Sequence, residues 1–376
     1  MKLALSLLSL RPGQVGGAET YVRQLVAKLP AVAVPGDRLV AVMDRDVAAA
    51  IETPGWERVV LPRSAGAVVA ERVLEAFTPW RARAAERAFA AAAADVVLFP
   101  QQSIFPKRAP GPAVVTVGDV QHLIHPGNIP AFERLFRPAI YPYSLRRATK
   151  LIAISEATRA VLVERCGVAP ERIAVVHHGF EPGRDAATPT DRVAGPYLYY
   201  PAATFPHKDH ATLLRSFAAL RRRGALSAKL VFTGLQTPGW KGLANLAGAL
   251  GVAGDVVHLG FLPWSEVRGV YAGAEAVVFP SRYEGFGIPV LEAALEFRKK
   301  VITSRQPVFD ELGVPADRQI DFADPEALLA ALRLPGPTTL ARRPSTWEEC
   351  AARTMAVLRE VAGRSGARAA AGGPRA

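Results

Sequence analysis

Apolar runs rich in Val, Ile, Leu and Tyr recur along this chain, and most end in a polar turn that leads into an Ala- and Leu-rich stretch of helical periodicity. Strands are expected at Leu3–Leu10, Arg38–Met43, Val96–Phe99, Ala113–Val117, Leu151–Ile154 and Arg172–His177. A polar stretch from Glu181 to Pro196, with Pro, Gly, Asp and Thr and little periodicity, reads as a linker. Strands resume at Tyr197–Pro201, Lys229–Gly234, Val256–Leu259, Ala276–Pro280 and Val301–Thr303. Helical patterns cover Thr20–Leu29, Ala211–Arg221, Pro325–Leu332 and Ser345–Val361, the last carrying Trp347. Ser155 and Thr158 suit the cap of another helix. The Ala-rich, Arg-studded stretch Glu71–Ala94, with Phe77, Trp80 and Phe89 as anchors, reads as a helix that either lies against a membrane or covers the sheet, and a core-facing helix is the expectation. Val96–Phe99 and Ala113–Val117 have the composition of strands buried on both faces.

The most informative stretch is Ala276–Leu295. An apolar run ends at Pro280, a turn with glycines at 285 and 287 follows, and Pro289 opens a helix. Glycines let the backbone approach a bound group closely, and the amides of a helix start suit a phosphate. Glu284 and Glu292 bracket the turn, eight positions apart. Carboxylates accept from sugar hydroxyls, so the arrangement fits a ligand with hydroxyls at both ends of a diphosphate, such as a nucleotide sugar. Lys208, at the junction between the strand Tyr197–Pro201 and the next helix, supplies an ammonium for that diphosphate and for charge building on a leaving group.

Embedded in Val278-Phe-Pro-Ser-Arg-Tyr283, the run Glu284-Gly-Phe-Gly-Ile-Pro-Val-Leu-Glu292 resembles the Glu-x7-Glu motif of the family 4 retaining glycosyltransferases. The resemblance extends over nearly all of residues 1–361 and is strongest from Tyr197 to Thr303. It implies an α/β GT-B fold, in which two Rossmann-like domains face each other across a deep cleft. Residues 1–182 would form the acceptor domain and 183–340 the nucleotide-sugar-binding domain. Residues 341–362 would be a helix crossing back to the first domain, and 363–376 a disordered tail.

By the same resemblance, Gly16, Gly17, Gly179, Thr204, Lys208 and Arg282 would lie at the donor, as would Glu284, Gly285, Phe286, Gly287, Ile288 and Glu292. Phe261 and Leu262 would flank the nucleotide base. Asp119, His122 and Pro126 match a further family pattern on the acceptor side, with Asp119 and His122 joining Glu284 and Lys208 as catalytic candidates. Two departures stand out. Gly118 occupies the place of a His that usually lines the reaction centre, where His122 or His125 would have to fill the space. Ala203 occupies the place of an Arg that usually accompanies the Lys, with His207 and Arg282 as candidates for the missing charge.

The implied activity is retaining transfer of a hexosyl group from a nucleotide diphosphate sugar, GDP-mannose or a UDP-sugar, to a hydroxyl. The acceptor would be a saccharide or lipid-linked molecule in polysaccharide, glycolipid or glycoconjugate assembly. The Pro206-His-Lys208 variant is similar to polysaccharide-assembly members that are often mannosyltransferases. No cofactor is called for, and Lys208 with the helix start would take a metal's electrostatic role. Asp44-Arg-Asp46 has the spacing of a metal-dependent diphosphate site but lacks its context, and His177-His178 lacks a third ligand. Gly118 and Ala203 also motivate an alternative, a catalytically degenerate donor-binding subunit. A GT-B nucleotide-sugar 2-epimerase would need further acid and base residues, and no clear set is evident.

Charge adds one partner. The formal net charge is +12, and Arg134, Arg137, Arg146, Arg147 and Lys150 are interleaved with Phe132, Phe136, Tyr141 and Tyr143. Such a stripe suits anionic lipid headgroups at the inner face of a membrane and equally suits a solvated basic face, and no nucleic-acid-binding signature accompanies it. Cys166 and Cys350 make no disulfide framework, which fits a reducing cytoplasm. Leu3–Leu10 lacks the flanks of a signal peptide, and no apolar run is long enough to span a bilayer.

Overall fold

The computed structural model describes residues 1–13, 16–121, 131–183 and 185–371. The chain divides into two compact units, Met1–Gly179 with Ser345–Ala376, and Phe180–Pro344.

Among the described residues, the first unit holds a seven-stranded parallel sheet of β1 (Lys2–Ser6), β2 (Arg38–Asp44), β3 (Glu57–Leu61), β4 (Val96–Phe99), β5 (Ala113–Val117), β6 (Lys150–Ala153) and β7 (Ile173–Val175). Their order is β3-β2-β1-β4-β5-β6-β7, so the chain reverses direction across the sheet between β1 and β4. The central strands β4 and β5 are buried throughout, as their near-continuous apolar runs require. Edge strand β3 was not anticipated, because Glu57 and Arg58 face solvent and break its apolar run.

The second unit repeats the plan with β8 (Tyr197–Pro201), β9 (Lys229–Thr233), β10 (Val256–His258), β11 (Ala276–Phe279), β12 (Lys300–Ser304) and β13 (Gln319–Ile320). The order is β10-β9-β8-β11-β12-β13, with the reversal between β8 and β11. Tyr199, Tyr200, Phe232 and Phe309 are fully buried around this sheet.

Three helical segments differ from the sequence expectation. The stretch Glu71–Ala94 is not one helix: helices Ala65–Phe77 and Arg83–Ala92 are separated at Thr78-Pro79, where proline cannot continue the ladder. Phe89 is in the core against Phe99, with ring centroids 5.8 Å apart, but Phe77 and Trp80 are exposed. The segment opened by Pro289 is α-helical only over Ile288–Leu291 and widens into a π-helix over Glu292–Glu296. The last helix spans Trp347–Ala371 and so runs beyond 362 into the expected tail, where Ala and Arg favour helix. It packs on helix Gly17–Val32 of the same unit. Gly179 seats it: a Cβ there would lie 2.4 Å from the backbone N and Cα of Trp347.

Candidate active site

In a doubly wound sheet, ligands bind beyond the carboxyl ends of the strands where the winding reverses. In the second unit that place is bounded by the loops after β8 and β11. Lys208 ends a short 3-10 turn, Pro206–Lys208, after β8, and Glu284 lies in the loop after β11. Lys208 Nζ donates to Glu284 Oε1 at 2.6 Å, and both side chains are largely but not fully shielded from solvent.

The neighbouring strands hold this pair in place. The Tyr200 hydroxyl, at the end of β8, donates to the Lys208 carbonyl at 2.9 Å and exchanges a hydrogen bond of 2.8 Å with Ser281. The Arg282 amide donates to the His207 carbonyl at 2.8 Å, which ties the two loops directly. From beyond β12, Gln306 accepts from the Glu284 amide at 2.9 Å, and its own amide nitrogen donates to the Ser281 carbonyl. Gly287 has φ +104°, a conformation costly for any residue with a Cβ, and turns the chain into the helix. Phe286 is buried, while Gly285 and Ile288 are half-buried in the same turn.

Glu292 belongs to a separate cluster. Its carboxylate accepts from the Tyr271 hydroxyl at 2.8 Å, and Tyr271 stacks on Phe297 with centroids 4.5 Å apart. Burial pushes the Glu292 carboxyl up to about 7; the nearby Glu296 carboxylate adds to the rise and the Tyr271 hydroxyl opposes it. The π-helix closes an i to i+5 bond here, from the Phe297 amide to the Glu292 carbonyl at 3.0 Å. Such widened turns recur at functional sites.

The other donor candidates are placed unevenly. Arg282 pairs with Asp209 at 2.8 Å and lines a neighbouring cavity of about 250 Å³ with Arg305, Gln306 and Asp321. Thr204 is buried, and its hydroxyl accepts from the Thr237 amide at 2.9 Å, pinning two loops together. After β10, Phe261 is exposed and open to stacking, whereas Leu262 turns into the interior.

Gly16, Gly17, Gly179 and Asp119 are in the first unit. Gly16 precedes helix Gly17–Val32, and Asp119 Oδ1 accepts from the Gln121 amide at 3.2 Å. His122, His125 and Pro126 lie outside the described residues. Beside Gly118, a Cβ would stand 3.4 Å from Nε2 of Gln102, a residue at φ +57°. Asp44 caps helix Arg45–Ala50 by accepting from the amides of Asp46 and Val47 at 3.0 and 2.9 Å. His178 is buried edge-on against Tyr21 and Trp347, and burial lowers it to about 3, so it is neutral.

Sequence reasoning passed over Tyr200, Ser281 and Gln306 as site residues. Ser281 stood in the recognised motif, but Gln306 carries no local signal, since its role is a contact made across β12.

Two family models match the chain: Glycosyltransferase Family 4 over residues 15–184 and Glycosyl transferases group 1 over residues 190–334. This chain belongs to glycosyltransferase family 4. As a family 4 chain it resembles an O-antigen chain mannosyltransferase of Salmonella typhimurium, 24% identical over 53% of each protein. It also resembles an MMP alpha-(1->4)-mannosyltransferase of Mycolicibacterium hassiacum, 28% identical over 58% of this chain and 56% of that one. The chain thus spans about half the length of these curated relatives. Among solved structures, Anabaena HepE in complex with UDP and glucose superposes with TM-score 0.61 at 17% identity, covering 98% of each chain. The fold is therefore α/β of the GT-B type.

Proposed function

We propose that this chain is a retaining hexosyltransferase that takes its sugar from a nucleotide diphosphate sugar and passes it to a hydroxyl of a saccharide or lipid-linked acceptor. The observation that carries this reading is the Lys208–Glu284 pair at the point where the winding of the second sheet reverses. A pair at this separation is poised to exchange partners: the ammonium turns to the donor diphosphate and the carboxylate accepts from a sugar hydroxyl. As the acceptor hydroxyl oxygen bonds to the anomeric carbon and the bond from that carbon to the phosphate oxygen breaks, the hydroxyl proton passes to the departing phosphate oxygen and negative charge grows on the diphosphate. Lys208 is placed to stabilise it. On this reading Glu292 holds hydroxyls at the nucleotide end, and Phe261 stacks on the base.

Both curated relatives cited above are named mannosyltransferases, which favours a mannosyl donor. GDP-mannose is therefore the first donor to test, and UDP-sugars the second. The test is transfer with the full chain and candidate acceptors, with and without EDTA. EDTA-resistant formation of glycosylated product with the anomeric configuration of the donor supports the proposal. Donor binding without transfer to any acceptor would favour the degenerate subunit, and conversion of the donor to its 2-epimer without net release of nucleotide diphosphate would favour a 2-epimerase.

A further inference from the structure

Helix Ala65–Phe77 is inverted relative to an ordinary surface helix. Its two carboxylates, Glu71 and Glu75, are turned inward and buried, whereas Val69, Leu74 and Phe77 are 41%, 43% and 45% exposed. The acids are held there by donors from neighbouring loops: Arg63 pairs with Glu71 at 2.7 Å, and the backbone amide of Lys107 donates to the Glu75 carboxylate at 2.8 Å while its ammonium donates to the Glu75 carbonyl. The apolar surface continues beyond the helix through Trp80, 51% exposed, and crosses to helix Ala131–Arg147. Phe77 lies 6.4 Å from Phe136 of that helix, and the adjoining Leu135 is 65% exposed.

Scattered apolar residues need no explanation, but a contiguous patch built by turning carboxylates inward implies something that covers it. The rim indicates what. Arg72 lies over the Phe136 ring at 6.0 Å, and Arg134, Arg146 and Arg147 are exposed along helix Ala131–Arg147. Between Arg134 and Lys150 there is no acidic residue. An aromatic and aliphatic patch with an arginine rim matches the boundary between acyl chains and anionic headgroups. A second copy of the same face would bring like charges together.

We propose that the outward face of helix Ala65–Phe77, extended by Trp80 and Leu135, docks on an anionic lipid bilayer. The proposal rests on this surface alone and is independent of the donor reading. It also moves the expected lipid contact from the 132–150 stripe alone to a patch in which that stripe is the rim.

The test is co-sedimentation of the full chain with phosphatidylcholine vesicles, with and without phosphatidylglycerol. Binding to the phosphatidylglycerol vesicles is expected to be stronger by on the order of tenfold or more and to weaken with salt. The double variant Phe77→Gln/Trp80→Gln should bind about tenfold more weakly than wild type at an unchanged melting temperature, since both side chains are exposed. Absence of binding to anionic vesicles, or wild-type binding by the double variant, would overturn the proposal. So would a dimer, seen by light scattering, that the same variant dissociates. Should the double variant fail to fold, brominated lipid can be used with wild type and Trp80→Phe: quenching that is lost on replacing Trp80 supports docking, and equal quenching refutes it.

Discussion

Lys208 and Glu284 stand 76 positions apart in sequence and meet at 2.6 Å, so each replacement strands the other's charge. Glu284→Gln is expected to cut transfer by about 10²- to 10³-fold while leaving nucleotide affinity nearly unchanged, because in the proposed function the carboxylate acts on the sugar. Lys208→Ala should weaken both nucleotide binding and turnover. Steady-state kinetics alongside nucleotide titration separate the two, and wild-type activity in either variant would remove that residue from the mechanism. Glu292 offers a prediction in pH. Its carboxyl is raised from 4.5 to about 7 in the fold. Below the unfolded value both states hold the proton and nothing is lost. From there to about pH 7 the unfolded chain has released its proton and the folded chain has not, so stability falls as pH rises; above that the loss is constant. Glu292→Gln should therefore lack this part of the pH dependence, gaining in melting temperature over wild type as pH rises from near 4 to near 8. Parallel melting curves across that range would show that Glu292 does not titrate as described.

At the scale of elements, the glycines separate into two kinds. Gly287 is demanded by its own backbone conformation, a local property. Gly179 is demanded by helix Trp347–Ala371, whose first residue leaves no room for a Cβ, a property of packing. Gly179→Ala should destabilise the first unit by about 1–3 kcal/mol, as overpacking does, whether or not nucleotide is bound. A thermal melt without ligand that matches wild type would leave only the donor role that the family resemblance assigns to this glycine. Most strand and helix segments were legible from their apolar periodicity. β3 and β13 were not: the first is an exposed edge and the second is only Gln319–Ile320, so neither leaves a pattern. The split of Glu71–Ala94 into two helices had a visible cause in Pro79, but the direction of the first helix did not. Its Glu, Val and Phe positions are compatible with either face inward, and the partners Arg63 and Lys107 decide the matter.

At the scale of the whole molecule, the two units each carry a parallel sheet wound in both directions, and the candidate donor residues after β8, β10 and β11 belong to one of them. A ligand that binds only the native state stabilises it by mass action, by about 2.7 kcal/mol at a hundredfold excess over Kd. One nucleotide diphosphate series should therefore raise the melting temperature of the full chain, EDTA should leave the shift unchanged, and Lys208→Ala should shrink it. No shift with UDP, GDP or ADP, or with their sugar derivatives, would count against a donor site in this chain.

By itself the sequence determined the two-part plan, the order of most strands and helices, and the loop in which Glu284, the glycines and Pro289 meet. These are properties of short segments, set by periodicity, by proline and by residues without a Cβ, and they can be read wherever the chain goes. Tertiary structure alone decided that Lys208 pairs with Glu284 while Arg282 turns to Asp209, that Tyr200 and Gln306 brace the site, that Gly179 seats a helix, and that helix Ala65–Phe77 presents its apolar side outward. Each of these depends on which distant residue arrives at a given place, and the free energy of a contact between distant residues leaves no mark on the local pattern of either partner.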